Sequence, residues 1–254
     1  MSNSFVHAVS VALRGLGVRP GGVLLVHSSL RSLGLPADLP DRAEIVLQGL
    51  LDALGPEGTL LMPALSYETV TAENPCFDVR ATPSCVGALT EYFRARPGTL
   101  RSVHPTHSVC GVGPRAADLL ADHSMDSTPV GPRSPFSKLP RAGGQVLFLG
   151  CGLRPNTSMH GVEERIEPPY LFGEEMDYQI TGADGAATVM RVRRHNFRGW
   201  AQRYDRLEEV MPNSLRRGRV LQAACHLLEA PAMWRFALEQ MQAEPLYFVE
   251  EERA

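Results

Sequence analysis

The chain lacks the features that mark a membrane, secreted or nucleic-acid-binding protein. No apolar run approaches the ~20 residues that cross a bilayer. The opening stretch MSNSFVHAVSVALRGLG has neither a basic start nor a sustained apolar core, so it does not read as a secretory signal. The five cysteines (Cys76, Cys85, Cys110, Cys151, Cys225) are odd in number, scattered and without a Cys-x-x-Cys pair. That excludes a paired disulfide framework and a zinc knuckle, and points to reduced thiols buried as small apolar residues. There is no basic excess, since 25 Lys and Arg stand against 28 Asp and Glu for a net charge of −3. A nucleic-acid partner is therefore not expected. A cytoplasmic protein of one domain over residues 1–254, with no membrane partner, is the expectation.

What is present is an alternation of helical and extended patterns. Phe5, Val9, Leu13 and Leu16 recur at helical spacing and Gly17 follows as a C-terminal cap. Val23–Val26, Thr59–Met62 and Gln145–Leu149 are continuous apolar runs of strand length, the signature of buried parallel-type strands. A second helix is expected over Glu44–Leu54, and a third from an N-cap at Thr82 with Pro83 at the first helical position. Ser108–Val112 reads as a short strand. Tyr178–Thr181 and Thr188–Val192 flank Gly182–Gly185 as an antiparallel hairpin. Helices are expected over 202–210 and 217–241, the latter broken at Pro231, then a strand over Pro245–Val249 and an irregular tail from Glu250 to Ala254. The fold class is α/β: a central mixed, largely parallel sheet flanked by helices, with an antiparallel hairpin insertion.

Four stretches concentrate chemistry. His27-Ser28-Ser29-Leu30-Arg31 follows the first strand, where ligands collect in open α/β sheets, and offers hydroxyls and a guanidinium suited to phosphate oxygens. Arg101-Ser102-Val103-His104-Pro105-Thr106-His107 is unusually dense in donors and acceptors for a simple connection. Arg133-Ser134-Pro135-Phe136 adds a cation, a hydroxyl and an aromatic. In Asn156-Thr157-Ser158-Met159-His160-Gly161-Val162-Glu163-Glu164 the first residues suit a helix N-terminus, which places His160 in the first turn with Glu163 and Glu164 three and four residues on. A carboxylate there can fix the ring tautomer as in hydrolase triads. Carboxylates from Glu163 to Asp177, against Arg165 alone, would draw a polycation.

Together these stretches resemble the aminoglycoside 3-N-acetyltransferase family. The matching blocks are GGVLLVHSSLRSLG (21–34), GTLLMPALS (58–66), TPSCVGALTEYFRARPGTLRSVHPTHSV (82–109), SPFSKL (134–139), GGQVLFLGCG (143–152) and NTSMHGVEE (156–164), with a weaker stretch, RRHNFRGWAQRYDRLEE (193–209). The resemblance implies an antibiotic N-acetyltransferase-like fold and acetyl-coenzyme A as the donor, with no metal. It implies that the coenzyme runs along His27, Ser28, Ser29, Leu30 and Arg31, along Arg101, Ser102, Val103, His104 and Thr106, and along Ser134 and Phe136. It makes His160 the general base and Glu163 the carboxylate beside it. Glu68, Asp78, Glu164 and His195 are the residues expected around a cationic amine acceptor, the 3-amino group of a deoxystreptamine ring.

Three alternatives stay open on the residues alone. The acceptor could be a non-antibiotic amine, such as a nucleotide-linked or biosynthetic intermediate. The chain could be a metal-dependent hydrolase with His104, His107, His160 and Glu163 as ligands. It could also bind a coenzyme without catalysis. Oligomeric state is not legible.

Overall fold

Strand β1 (Val23–Ser28) lies between β2 (Thr59–Pro63) and β6 (Gln145–Leu149), parallel to both, in a computed structural model that describes residues 2–252. Every residue of β2 and β6 is buried. Both faces of this centre are covered, which is why the three segments are continuously apolar rather than alternating. Side chains still divide by face. Leu24, Val26, Leu60 and Met62 pack with Val9 and Leu13 of α1 (Ser2–Leu16), Val46, Leu47 and Leu50 of α2 (Arg42–Leu54), and Phe93 of α3 (Ala88–Ala95). Val23, Leu25 and Leu61 pack on the other face with Phe136, Val162, Met233 and Trp234.

The sheet has seven strands in the order β10 (Leu215–Val220), β11 (Ala223–Glu229), β6, β1, β2, β5 (Val109–Val112) and β4 (Leu100–Arg101). Parallel pairing is confined to its centre. β4, β5, β10 and β11 are joined by antiparallel ladders. The sheet is therefore mixed, as expected, with parallel character limited to three strands. The expected hairpin is longer than its apolar runs: β7 (Phe172–Thr181) pairs with β8 (Ala187–His195), and β3 (Cys76–Asp78) adds to β7 as a third strand. The helices α4 (Ala116–Leu120), α5 (Pro135–Lys138), α6 (His160–Ile166) and α7 (Leu207–Val210) are short.

Several expectations are corrected. Residues 217–241 are not one broken helix. β10 and β11 form a hairpin that pairs along β6, and α8 (Ala230–Ala243) begins where the helix was expected to break, with Pro231 in its first turn. Proline at that position loses no intrahelical bond. Thr82 is not an N-cap either. Its hydroxyl accepts from the Asp78 N–H in a turn, and α3 starts at Ala88 after Gly87. Of 202–210, only α7 and a 3₁₀ turn at Tyr204–Arg206 are helical, because β9 (Trp200–Gln202) pairs with β12 (Val249–Glu251). That pairing also places the last strand later than Pro245–Val249 and orders part of the tail; Arg253 and Ala254 lie outside the described residues.

Candidate active site

A cavity of about 780 Å³ opens at the C-terminal ends of β1, β2 and β6. Its wall includes His27 and Ser28 from β1, Pro63 at the end of β2 and Leu65 after it, and Cys151 and Arg154 to Thr157 after β6. Thr106 and His107 come from the β4–β5 loop, His160 from α6, Arg194 and His195 from the end of β8, and Phe197, Trp200 and Tyr204 from the segment that follows. The crevice outside the strand ends is where such sheets bind ligands.

His160 is held by packing beneath it and by hydrogen bonds behind it. The 3₁₀ turn Thr157–Met159 runs directly into α6. It is anchored by Trp234, whose indole N–H donates to Ser158 Oγ at 2.9 Å. Gly161 lets the indole come close, since a Cβ there would stand 2.5 Å from the ring. The imidazole N–H at Nδ1 donates to Glu163 Oε2 at 2.9 Å. Glu163 is wholly buried and also accepts from the Tyr204 hydroxyl at 2.8 Å and the Tyr170 hydroxyl at 2.9 Å. Burial followed by the nearby Glu163 raises both phenols, so they remain donors. With Nδ1 committed, the Nε2 lone pair is available to the cavity.

Three further histidines share the wall. His195 Nε2 lies 2.8 Å from Glu164 Oε1, and the His107 Nδ1 lies 2.9 Å from Thr106 Oγ1. Burial pushes both imidazoles well below the ordinary histidine range, and neighbouring histidines lower them further. His27 stacks on Phe148 at 5.1 Å between ring centroids, and burial with His160 nearby brings it down to about 3. These rings are neutral at physiological pH. Glu164 is pushed up to about 7 by burial, against the hydrogen bonds from Thr128 and Val130.

Of the residues expected from the sequence, His27, Ser28, Thr106, His160 and His195 line the cavity, and Glu163 stands directly behind His160. The others do not reach it. The Arg101 guanidinium is spent inside the fold, donating to Ser108 Oγ and to the carbonyls of Ala64, Val79 and Thr82. Ser102 is bound to His123 and to the Val109 N–H, and Val103 packs against the cluster around Phe77. His104 Nδ1 accepts from the Thr106 and His107 N–H groups. The polar groups of that loop are spent inside the fold, on the loop itself and on Ala64, Val79, Thr82 and His123. Ser134 and Phe136 are fully buried, Phe136 in the core. Ser29 and Ser32 bond each other, Leu30 packs against the helical face, and Arg31 is exposed without an ion pair among the described residues. Asp78 is used in a turn, accepting from the Arg80 and Ala81 N–H groups, and Glu68 is exposed beside the wall residue Tyr67. Glu164 stands behind His195, not at the wall.

The acidic run is not a cavity feature. Asp177 and Glu175 face Arg191, and Glu167 faces Arg193, on the outside. The ligand set His104, His107, His160 and Glu163 is not assembled, because Glu163 is occupied by three donors and His104 is turned to its own loop and stacked on His123. Tyr204 and Tyr170 were missed. Tyr204 lies forty-one residues from Glu163 with no local signal, whereas Tyr170 sits seven residues on. Only the short separation of Tyr170 from Glu163 in sequence was available as a hint, because α6 ends at Ile166 before it.

The profile of the family "Aminoglycoside 3-N-acetyltransferase" matches residues 25–242. Aminoglycoside N(3)-acetyltransferase VIII of Streptomyces fradiae is 32% identical over 262 residues, covering 91% of this chain and 89% of that protein. The solved aminoglycoside acetyltransferase AAC(3)-IVa, as a histidine-to-alanine mutant in complex with gentamicin, gives a TM-score of 0.80 at 31% identity over 94% of this chain and 89% of that one. The binary complex of AAC-IIIb with CoASH gives 0.80 at 25% identity over 92% and 95%. By profile, sequence and fold together, this chain belongs to the aminoglycoside 3-N-acetyltransferase family.

Proposed function

We propose that this chain transfers the acetyl group of acetyl-coenzyme A to the 3-amino group on the deoxystreptamine ring of an aminoglycoside, with His160 as general base. The observation that carries the reading is the pose of His160: Nδ1 tied to a buried carboxylate at 2.9 Å and Nε2 free at a strand-end cavity. The solved relatives captured with gentamicin and with CoASH support the two halves of the substrate pair.

The residues present fit the coenzyme. The cavity volume of about 780 Å³ lies within the range of about 300–1,000 Å³ usual for small-molecule sites. His27 Nε2 is buried without a partner, and the Ser28 and Thr157 hydroxyls make no hydrogen bond among the described residues. Arg31, three residues beyond Ser28, is available for a phosphate. Acetyl-coenzyme A supplies a thioester carbonyl open to attack by an uncharged amine. His160 Nε2 takes the proton from the attacking nitrogen, Glu163 balances the imidazolium, and Tyr204 and Tyr170 hold Glu163 in place. General-base help of this kind is worth about 10²–10⁴-fold. Thr157 Oγ1 and the His27 ring are the uncommitted groups able to meet developing charge on the carbonyl oxygen.

Carboxylates at the wall could meet a cationic acceptor, although the wall also carries Arg194, which has no ion pair among the described residues. The imidazoles around His160 are held neutral by burial, Arg154 is paired with Asp205 at 3.2 Å, and Glu252 lines the cavity with Glu68 exposed nearby. The unpaired cysteines support a reducing, cytoplasmic setting, and no helix among the described residues is long and apolar enough to cross a membrane.

The test is thiol release from acetyl-coenzyme A with a panel of aminoglycosides, each offered with its 3-amino group free or already acetylated. Release with the free amine alone, and a 3-N-acetyl product by NMR, is expected. Release with no aminoglycoside in the panel would defeat the assignment of the acceptor.

A further inference from the structure

The acyl-transfer chemistry needs one imidazole lone pair, yet the cavity wall gathers three. One ring nitrogen from each of His107, His160 and His195 lies within 4.8 Å of the other two. The ring centroids are 5.8 Å apart for His107 and His160, 5.2 Å for His107 and His195, and 5.1 Å for His160 and His195. Each ring is tied at its back to an oxygen: His160 Nδ1 to Glu163 Oε2 at 2.9 Å, His195 Nε2 to Glu164 Oε1 at 2.8 Å, and His107 Nδ1 to Thr106 Oγ1 at 2.9 Å. The nitrogens left over by these contacts are His160 Nε2, His195 Nδ1 and His107 Nε2. None of them has a hydrogen-bond partner among the described residues, and His195 Nδ1 is a buried polar atom left orphaned. The His195 side chain is 4% exposed and belongs to the cavity wall.

A ligating histidine has this build, with one nitrogen donating backward to a carboxylate or hydroxyl and the other offering its lone pair. Three such rings around an open cavity supply three nitrogens and leave a fourth position for water or substrate, the arrangement that zinc takes in open sites. At Zn–N distances of about 2.0–2.1 Å in tetrahedral geometry the nitrogens sit about 3.4 Å apart. Three ring nitrogens that already lie within 4.8 Å of one another reach that spacing when each moves inward by less than about 1 Å. Borderline-soft divalent ions favour imidazole, whereas magnesium and calcium favour oxygen ligands, and the cluster itself offers ring nitrogens.

We propose that His107, His160 and His195 form a binding site for a divalent transition metal of the zinc type, and that occupancy switches acyl transfer off. Inhibition rests on the reading of His160 as the base, because the metal would occupy the same Nε2 lone pair that accepts the proton. Binding rests on geometry alone. The ion is a regulator or inhibitor here, not a participant in transfer.

The experiment uses the purified chain stripped with a chelator, then titrated with Zn²⁺ by calorimetry and with Co²⁺ by visible spectroscopy. One ion per chain is expected, with the intense visible band of four-coordinate cobalt and no near-ultraviolet thiolate band. The missing thiolate band separates this site from Cys85 and Cys151 in the same cavity. His195→Gln and His107→Gln, each checked for folding by circular dichroism, are expected to abolish the one-ion step. Glu164→Gln, which alters the acceptor behind His195 along with its bonds from Thr128 and Val130 and is checked for folding in the same way, is expected to weaken binding by about 10–100-fold. Thioester consumption is expected to fall over the same Zn²⁺ concentrations that fill the site and to return on chelation. No binding below millimolar Zn²⁺, a thiolate band, or binding unchanged in both histidine variants overturns the site. Full occupancy with undiminished turnover overturns the switch while leaving the site. Absence of turnover in the metal-free protein instead counts against the acyltransferase reading, since the binding measurements do not depend on it.

Discussion

Replacing Glu163 by Gln removes one charge while keeping the length of the side chain. Glu163 receives three donors, from His160 Nδ1 at 2.9 Å, Tyr204 at 2.8 Å and Tyr170 at 2.9 Å. An amide oxygen turned toward His160 and Tyr204 keeps two of these. Its NH₂ then faces the Tyr170 hydroxyl oxygen, which can accept, so the fold should survive with a modest fall in melting temperature. Catalysis should not survive. Once His160 has taken the proton it is an imidazolium, and its counter-charge stands about 3 Å away. At an effective dielectric near 20, such a pair interacts by roughly 5 kcal/mol. Desolvation of two partly buried charges offsets part of this, leaving about 3–5 kcal/mol, or roughly 10²–10⁴-fold in kcat. Loss of the charge behind a hydrolase-triad histidine costs about 10⁴. The assay is steady-state thiol release at saturating acetyl-coenzyme A, with coenzyme A affinity measured alongside. A folded Glu163→Gln chain within about threefold of the parent kcat, under ~1 kcal/mol, would refute the reasoning.

Other perturbations reach different parts of the account. Gly161→Ala puts a methyl 2.5 Å from Trp234 and 2.9 Å from Val130, so a loss of about 1–3 kcal/mol in urea denaturation and a lower kcat are expected. Unchanged values would mean that Trp234 does not set the position of α6. Burial pushes the Cys151 thiol up to about 12 and raises Cys85, so neither is a ready thiolate. Intact-protein mass spectrometry after mixing with acetyl-coenzyme A alone should show no acetyl-enzyme, and a trapped one would replace direct transfer with a two-step route. His27 and His123 are brought from 6.5 to about 3, each chiefly by burial. Below pH ~6.5 the unfolded chain takes protons that the folded chain refuses, so stability held at neutral pH is lost as the pH falls toward 3. From pH 7 to 5 each should cost about 2 kcal/mol in denaturant titrations, and a pH-independent midpoint would contradict their burial as neutral rings.

The centre of the fold was legible because β1, β2 and β6 are apolar on both faces, a pattern few other environments demand. The edges were not. Residues 215–229 hold Arg, Leu, Gln, Ala and His, which favour a helix locally, yet β11 forms a ladder with β6 that no window of sequence reveals. Its turn is made by Leu221 at φ 52°, without the Asn-Gly or Asp-Gly signal of a tight hairpin. At the site, the spacing offered both Glu163 and Glu164 to His160, and the family resemblance chose Glu163, which the fold places 2.9 Å from the ring. Arg101, His104 and Ser134 stand away from the cavity wall for different reasons: Arg101 is bonded to the carbonyls of Ala64, Val79 and Thr82, His104 Nδ1 accepts from its own loop, and Ser134 is simply buried. Tyr204 and Tyr170 act only through the assembled structure, where both hydroxyls meet one carboxylate.

The central claim is that the His160 imidazole removes the proton from the attacking amine. The most direct measurement is single-turnover acetyl transfer by His160→Ala, with folding and coenzyme A affinity confirmed on the same sample. The account predicts a rate lower by about 10²–10⁴-fold with coenzyme A still bound. Transfer at the parent rate by the folded variant would contradict it.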